Sequence, residues 1–210
     1  MRLLSTFLIA LFVPVSSAAA ESVELFNGED LSGWTYDLSG EAEMDEVWTV
    51  QEGGVLHCTG EPAGVLRTKE EYENYVLRVE WRWPEEPGNN GVLVHTSDPQ
   101  LLGIWPKSLE VQLFHGAAGD FWVIGTEIDV EDEESRVEGR RHRRAVDDVE
   151  REPGEWNEIQ ITCSGAEVVV VINGQEVNRG ENCTVTSGAI CLQSEGARIE
   201  YRNVVLEPLP

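Results

Sequence analysis

The densest group of chemically capable side chains lies in GIWPKSLEVQLFHGAAGDFWVIG, Gly103 to Gly125. Its centre alternates Leu109, Val111 and Leu113 with Ser108, Glu110 and Gln112, a period of two that describes a strand with one apolar and one polar face. Glu110 and Gln112 therefore point the same way. Trp105 and Lys107 precede them, and His115, Asp120 and Trp122 follow. A carboxyl group gives a proton when protonated and takes one when ionised, an amide both donates and accepts hydrogen bonds, and an indole offers an apolar face with a polar edge. Solvent alone would account for a polar strand face, but the flanking Trp, Lys, His and Asp favour the floor of a site.

Other strands repeat the division. In YVLRVEWRW, Leu77, Val79, Trp81 and Trp83 share one face, and Arg78, Glu80 and Arg82 the other. GVLVH ends in His95, on the face of Leu93. GAICLQSEG sets Cys191 and Gln193 opposite Ile190 and Leu192, with Glu195 just beyond. A concave sheet face bearing carboxylates, amides, Arg and Trp suits a sugar, whose hydroxyls pair with the polar groups while its ring lies on indole. Simpler roles stand beside each assignment: Glu80 with Arg78 or Arg82 as a surface ion pair of little worth, Trp105 and Trp122 as caps on the sheet edge, His95 as a strand-end histidine bonded to a neighbour.

The elements that must carry these groups are short strand-like runs separated by Gly, Pro, Asn and Asp. INGQEV reads as a hairpin turning on Asn173-Gly174. Only TKEEYEN, Thr68 to Asn74, suggests a short helix, and TVTSGAI between Cys183 and Cys191 could turn as a hairpin at Ser187-Gly188. Many short strands in one chain of this size predict an all-β sandwich or jelly roll. The stretch at about residues 127–151 stands apart. It packs acids from Glu127 to Glu134 and bases from Arg136 to Arg144 with few apolar residues, which predicts an exposed, partly self-neutralising loop or hairpin. Its acidic run has oxygen ligands that a calcium ion could use, but not the spacing of an EF-hand.

The N-terminus, MRLLSTFLIALFVPVSSAAAES, has a basic start, an apolar core and a small-residue cleavage site, so residues 1–20 read as a signal peptide and residues 21–210 as one exported domain. This places the product in a periplasm or outside the cell. A formal charge of −24 repels phosphate backbones and anionic bilayers, leaving a neutral ligand, a cation or a sugar as the compatible partner. Cys58, Cys163, Cys183 and Cys191 either pair in this exported chain or serve as small buried strand residues. No Cys/His spacing suits a structural zinc site.

The ordered motifs ELFNGEDLSGW, YENYVLRVEWRWPEEPGNNGVLVH, GIWPKSLEVQLFHGAAGDFWVIG, PGEWNEIQI, VVVVINGQEVN and GAICLQSEGARIEYRNVVLEPL resemble the 3-keto-disaccharide hydrolase domain family, from Glu24 to Leu209. The resemblance implies an all-β, two-sheet jelly-roll sandwich of the concanavalin A or laminin G kind, in a bacterial protein. It further implies cleavage of glycosides already oxidised to a ketone at C3, by removal of the C2 proton, elimination and rehydration. Carried onto this chain, Glu110 or His95 would be the base. Arg82 or Lys107 would hold the developing enolate, unless a divalent cation does so. Gln112, Trp105, Asp120, Trp122, Gln193 and Glu195 would hold the sugar. No other cofactor is expected, and a non-catalytic carbohydrate-binding module is the alternative.

Overall fold

Period-two alternation builds the molecule. In the computed structural model, which describes residues 21–210, Tyr75, Leu77, Val79 and Trp81 turn inward and are fully buried, while Val76, Arg78, Glu80 and Arg82 face outward from the same strand. Residues 1–20, whose sequence reads as a signal peptide, lie outside the described residues. The first half of the chain forms β1 (Val23–Glu24), β2 (Trp34–Leu38), α1 (Met44–Val47), β3 (Trp48–Gln51), β4 (Val55–Cys58), β5 (Gly64–Thr68), β6 (Tyr75–Arg82), β7 (Gly91–Leu102) and β8 (Trp105–Gln112). The second half forms β9 (Phe121–Ile124), β10 (Asp129–Val130), α2 (Glu133–Arg136), β11 (Val137–Glu138), β12 (Arg141–His142), β13 (Asn157–Ser164), β14 (Glu167–Ile172), β15 (Gln175–Glu181), β16 (Ala189–Ser194) and β17 (Ile199–Pro208).

These strands make a two-sheet jelly-roll sandwich. One antiparallel sheet runs β10-β15-β14-β13-β6-β17-β4-β3, with β1 added on β17; the other runs β11-β12-β9-β8-β7-β16-β5-β2. Between them lies the main core, whose largest fully buried side chains include Trp48, Trp81, Tyr75, Tyr201 and Phe121. Each such burial contributes about 1.5–3 kcal/mol or more, which stiffens both sheets as platforms. The Asn173-Gly174 hairpin forms as expected, with φ of 50° and 84° matching the twist of the strands it joins.

Two local expectations need correction, and one open alternative is decided. Thr68 to Asn74 makes no helix: Tyr72 instead pairs its backbone with Gly188 through N–H···O bonds of 2.8 and 3.0 Å. Seven residues are too few to nucleate a helix against that pairing. The segment between Cys183 and Cys191 is not a hairpin either, because it carries the chain from β15 in one sheet to β16 in the other. All four cysteines are buried free thiols, the second of the two readings left open by sequence.

The charged segment departs furthest from expectation. Its outer parts are exposed, and Arg143 pairs with Glu138 at 2.7 Å as a self-neutralising hairpin should. Yet it also extends both sheets, β10 adding to β15 and β12 to β9. Buried Arg144 ties it down, donating to the carbonyls of Ala118 (2.7 Å) and Gly116 (2.9 Å) and reaching the Glu150 carboxylate at 3.3 Å. Arginine's five fixed N–H donors supply the anchorage that apolar burial lacks here.

Candidate functional site

The outer face of the eight-stranded sheet gathers the polar residues by register. Reading across neighbouring strands, Cys191 lies opposite Leu93, Leu93 opposite Glu110, Glu110 opposite Trp122, and Trp122 opposite Arg141. In the adjoining row Gly91 lies opposite Gln112. The missing side chain at Gly91 is what lets the row close. A Cβ there would stand 2.6 Å from Gln193 Oε1 and 2.9 Å from Glu110 Oε1. Beside them Val65, Leu93, Ile124 and Cys191 form a small apolar cluster, separate from the main core, against which Trp105 packs. The floor is thus apolar, and the proton-carrying groups stand at its edge.

Two adjoining cavities open on this face. The first, of about 230 Å³, is lined by Trp105, Glu110, Arg140 and Glu195. The second, of about 370 Å³, is lined by Phe114, His115, Asp120 and Arg141. Asn89, Gln112 and Trp122 line both. Gln112 accepts the backbone N–H groups of Leu113 and Phe114 at its side-chain oxygen (2.9 Å each), so its amide NH₂ is what it offers a ligand. The Arg140 guanidinium lies 5.3 Å above the Trp122 ring.

Burial pushes the Glu110 carboxyl up to about 8, and the neighbouring Glu195 carboxylate adds to the rise; Gln193 and Arg140 oppose it. Glu195 is raised as well, again mainly by burial, with Arg140 and Asn89 pulling the other way. Two carboxyls in one partly dry recess thus hold protons more firmly than free carboxyls do, under a single guanidinium. Gln193 Oε1 and Asn89 Oδ1 are buried without a hydrogen-bond partner. Such orphaned acceptors cost stability unless a donor arrives, and a ligand hydroxyl is one such donor.

Trp105, Glu110, Gln112, Trp122 and Glu195 line one cavity, and Gln193 stands beside Glu110. Asp120 lies in the second cavity with its oxygens already taken, by Arg141 Nε at 2.6 Å and the Arg144 N–H at 2.8 Å. Lys107 is half-buried beside Gly125 and does not line either cavity. Arg82 is on the far sheet, paired with Glu200 at 2.6 Å and stacked on Trp156 at 4.6 Å. His95 is fully buried against Tyr75, its ring nitrogens 3.1 Å from the Val185 carbonyl and 3.2 Å from that of Glu73. Strict alternation would put it beside Leu93 on the outer face. A bulge in β7 after Val94, with His95 at φ 53°, turns it into the core instead. No periodicity argument could foresee that inversion.

Arg140 and Asn89 complete the first cavity, and neither was singled out from sequence. Arg140 sits within a basic run that reads as solvated, and the turn-forming GNNG that carries Asn89 gives no sign that its side chain faces inward. Among the described residues no group of three or more His, Cys, Asp or Glu side chains is placed to hold a metal ion.

A model of the 3-keto-alpha-glucoside-1,2-lyase-like domain matches residues 21–207. Among solved structures, a putative glycosyl hydrolase from Parabacteroides distasonis shares 23% identity at a TM-score of 0.65, over 90% of this chain and 100% of that one. A carbohydrate binding module from Bacillus subtilis is 11% identical over 83% of this chain and 95% of its own, at a TM-score of 0.59. A Bacillus licheniformis beta-glucanase is 11% identical over 93% and 100%, at 0.60. At these identities the likeness is one of fold. No curated protein matches the chain.

Proposed function

The chain belongs to the 3-keto-alpha-glucoside-1,2-lyase-like domain family, and on that premise we propose that it is an exported enzyme cleaving glycosides oxidised at C3, with Glu110 as its base. The observation that carries this reading is a single buried carboxyl raised to about 8 at the edge of a recess walled by Trp105 and Trp122. A ketone at C3 acidifies the C2 hydrogen. Ionised Glu110 takes that proton, the C2 electron pair moves toward C1, and the C1–O bond breaks to give an enone and a free alcohol. Water adding back at C1 makes the net reaction a hydrolysis.

A base with a pKa near 8 has more proton affinity than an ordinary carboxylate, at the cost that roughly a tenth of it is ionised at neutral pH. Arg140 takes the part expected of Arg82 or Lys107. Its guanidinium faces the same recess and supplies positive charge to the enolate oxygen at C3. Glu195, the second carboxyl with a raised pKa, returns a proton to the departing oxygen. Asn89 and Gln193 accept hydroxyl protons of the sugar. Export follows from the leader at residues 1–20, and the family match begins at residue 21, where cleavage would leave the mature chain.

A recognition module is the second reading, favoured by the two tryptophans and two unpaired acceptors, which would suit an unoxidised sugar equally well. Product analysis with a 3-keto-glucoside beside its unoxidised parent separates the two, with and without a chelator to test for a divalent cation. Turnover of the keto sugar alone is expected. Tight binding of the parent with no turnover of either would leave Glu110 as a hydrogen-bonding residue.

A further inference from the structure

The two cavities differ in what they leave unsatisfied. In the first, both carboxyls face the recess, with Gln193 Oε1 buried and unpartnered behind Glu110; the unpartnered Asn89 Oδ1 lies where the two cavities meet. In the second, most of the acceptors that belong to it alone are engaged by the protein itself. Asp120 is taken by Arg141 and the Arg144 backbone, the Gln112 oxygen by two backbone N–H groups, and His115 Nδ1 lies 3.2 Å from Glu150. What the second cavity presents is surface: Phe114, 48% exposed at its mouth, with Ala117 and the Trp122 wall. An exposed aromatic of this size stays in water at a cost that a flat apolar partner would remove.

Resting on the reading of the first cavity as the seat of the oxidised sugar, we propose that the second cavity is the leaving-group subsite and selects an aryl aglycone, with Phe114 as its platform. A second sugar would need acceptors as well as donors around its whole ring. Beyond Asn89 and Gln112, which the first cavity shares, the second keeps chiefly the outer nitrogens of Arg141, since the Asp120 carboxylate is taken. An aromatic ring needs a face to lie on and little else. The Trp122 wall common to both cavities puts the scissile C1–O bond at their junction, so sugar and aglycone are read separately. Its volume of about 370 Å³ accommodates a substituted phenol.

The test measures binding and turnover in parallel, for wild type and Phe114→Ala. Calorimetry compares 4-nitrophenyl and methyl glucosides in both anomers. Kinetics compares 3-keto 4-nitrophenyl glucoside with a 3-keto-disaccharide. The expected result is aryl binding at least tenfold tighter than methyl, falling about tenfold in Phe114→Ala while methyl binding changes less than twofold, with kcat/KM following the same order. Equal affinity for aryl and methyl glucosides, or an aryl preference that survives Phe114→Ala, would overturn the proposal. If no keto substrate turns over but the Phe114-dependent aryl preference is seen, the subsite stands and only the hydrolase reading fails.

Discussion

At the scale of single residues, Glu110 makes the sharpest predictions. Its folded-state pKa of about 8 lies above the 4.5 of a free carboxyl, so the folded protein keeps a proton that the unfolded chain releases between those values. Stability from this group is therefore full at acid pH and is lost as pH rises toward 8. Glu110→Gln removes that titration. Denaturant melts at pH 5 and pH 8.5 should show wild type losing, relative to the variant, on the order of a few kcal/mol across the interval. A parallel loss in both proteins would mean that Glu110 is not held protonated. Arg140 is exposed and opposes the rise in Glu110, so Arg140→Ala should fold normally and move the ionisation seen in kcat/KM upward by a few tenths of a unit to one unit. An unmoved ionisation would remove Arg140 from the site. Glu110, Gln112, Gln193 and Glu195 were legible because a period of two assigns faces without knowledge of the fold, and the two tryptophans only because they flank the strand that carries Glu110 and Gln112. His95 was not, since a single bulge reverses the face of the residue it carries.

At the scale of elements, the site depends on two pieces of backbone. Gly91 begins β7 where Gln193 and Glu110 crowd toward it, so Gly91→Ala should displace both side chains. Activity is expected to fall by a factor of about a hundred with little change in melting temperature, because the strand ladder persists. A variant with full activity would show that the row has room to spare. Arg144 pins the segment that brings Arg140 to the recess, and Arg144→Ala leaves the nearly buried Glu150 carboxylate without its guanidinium. A destabilisation of about 3 kcal/mol is expected in urea titrations, against a negligible change if the segment merely floats in solvent. Strands and the Asn173-Gly174 turn could be read from alternation and turn chemistry. The role of the charged segment could not, because it is anchored by guanidinium bonds to distant carbonyls rather than by apolar residues. The failed helix at Thr68 to Asn74 has the same origin: local propensity yielded to a long-range backbone pairing with Gly188.

At the scale of the whole molecule, the sandwich divides its labour between two outer faces. One carries Arg78, Glu80 and Arg82 on β6, and the ion pairs Arg82–Glu200 and Arg202–Glu80 there are internally matched. The other carries the recess, where acceptors lack partners and protons are held against solvent. Sequence gave the two-sheet architecture, since many short alternating strands have few other ways to bury one face each, but not which sheet would hold the site. That depended on register, which set Glu110 beside Trp122 and near Gln193 while leaving Arg82 on the opposite side. A net charge of −24 does not disturb a neutral sugar, so ligand affinity should be nearly insensitive to salt, whereas a cationic ligand's would fall and an anionic ligand's would rise. The measurement that tests the central claim most directly is the pH dependence of kcat/KM on a 3-keto-glucoside, for wild type and Glu110→Gln. The account predicts a rise through an ionisation near pH 8 in wild type and a loss of at least a hundredfold, with that ionisation gone, in the variant. Turnover by Glu110→Gln with the wild-type pH profile would contradict it.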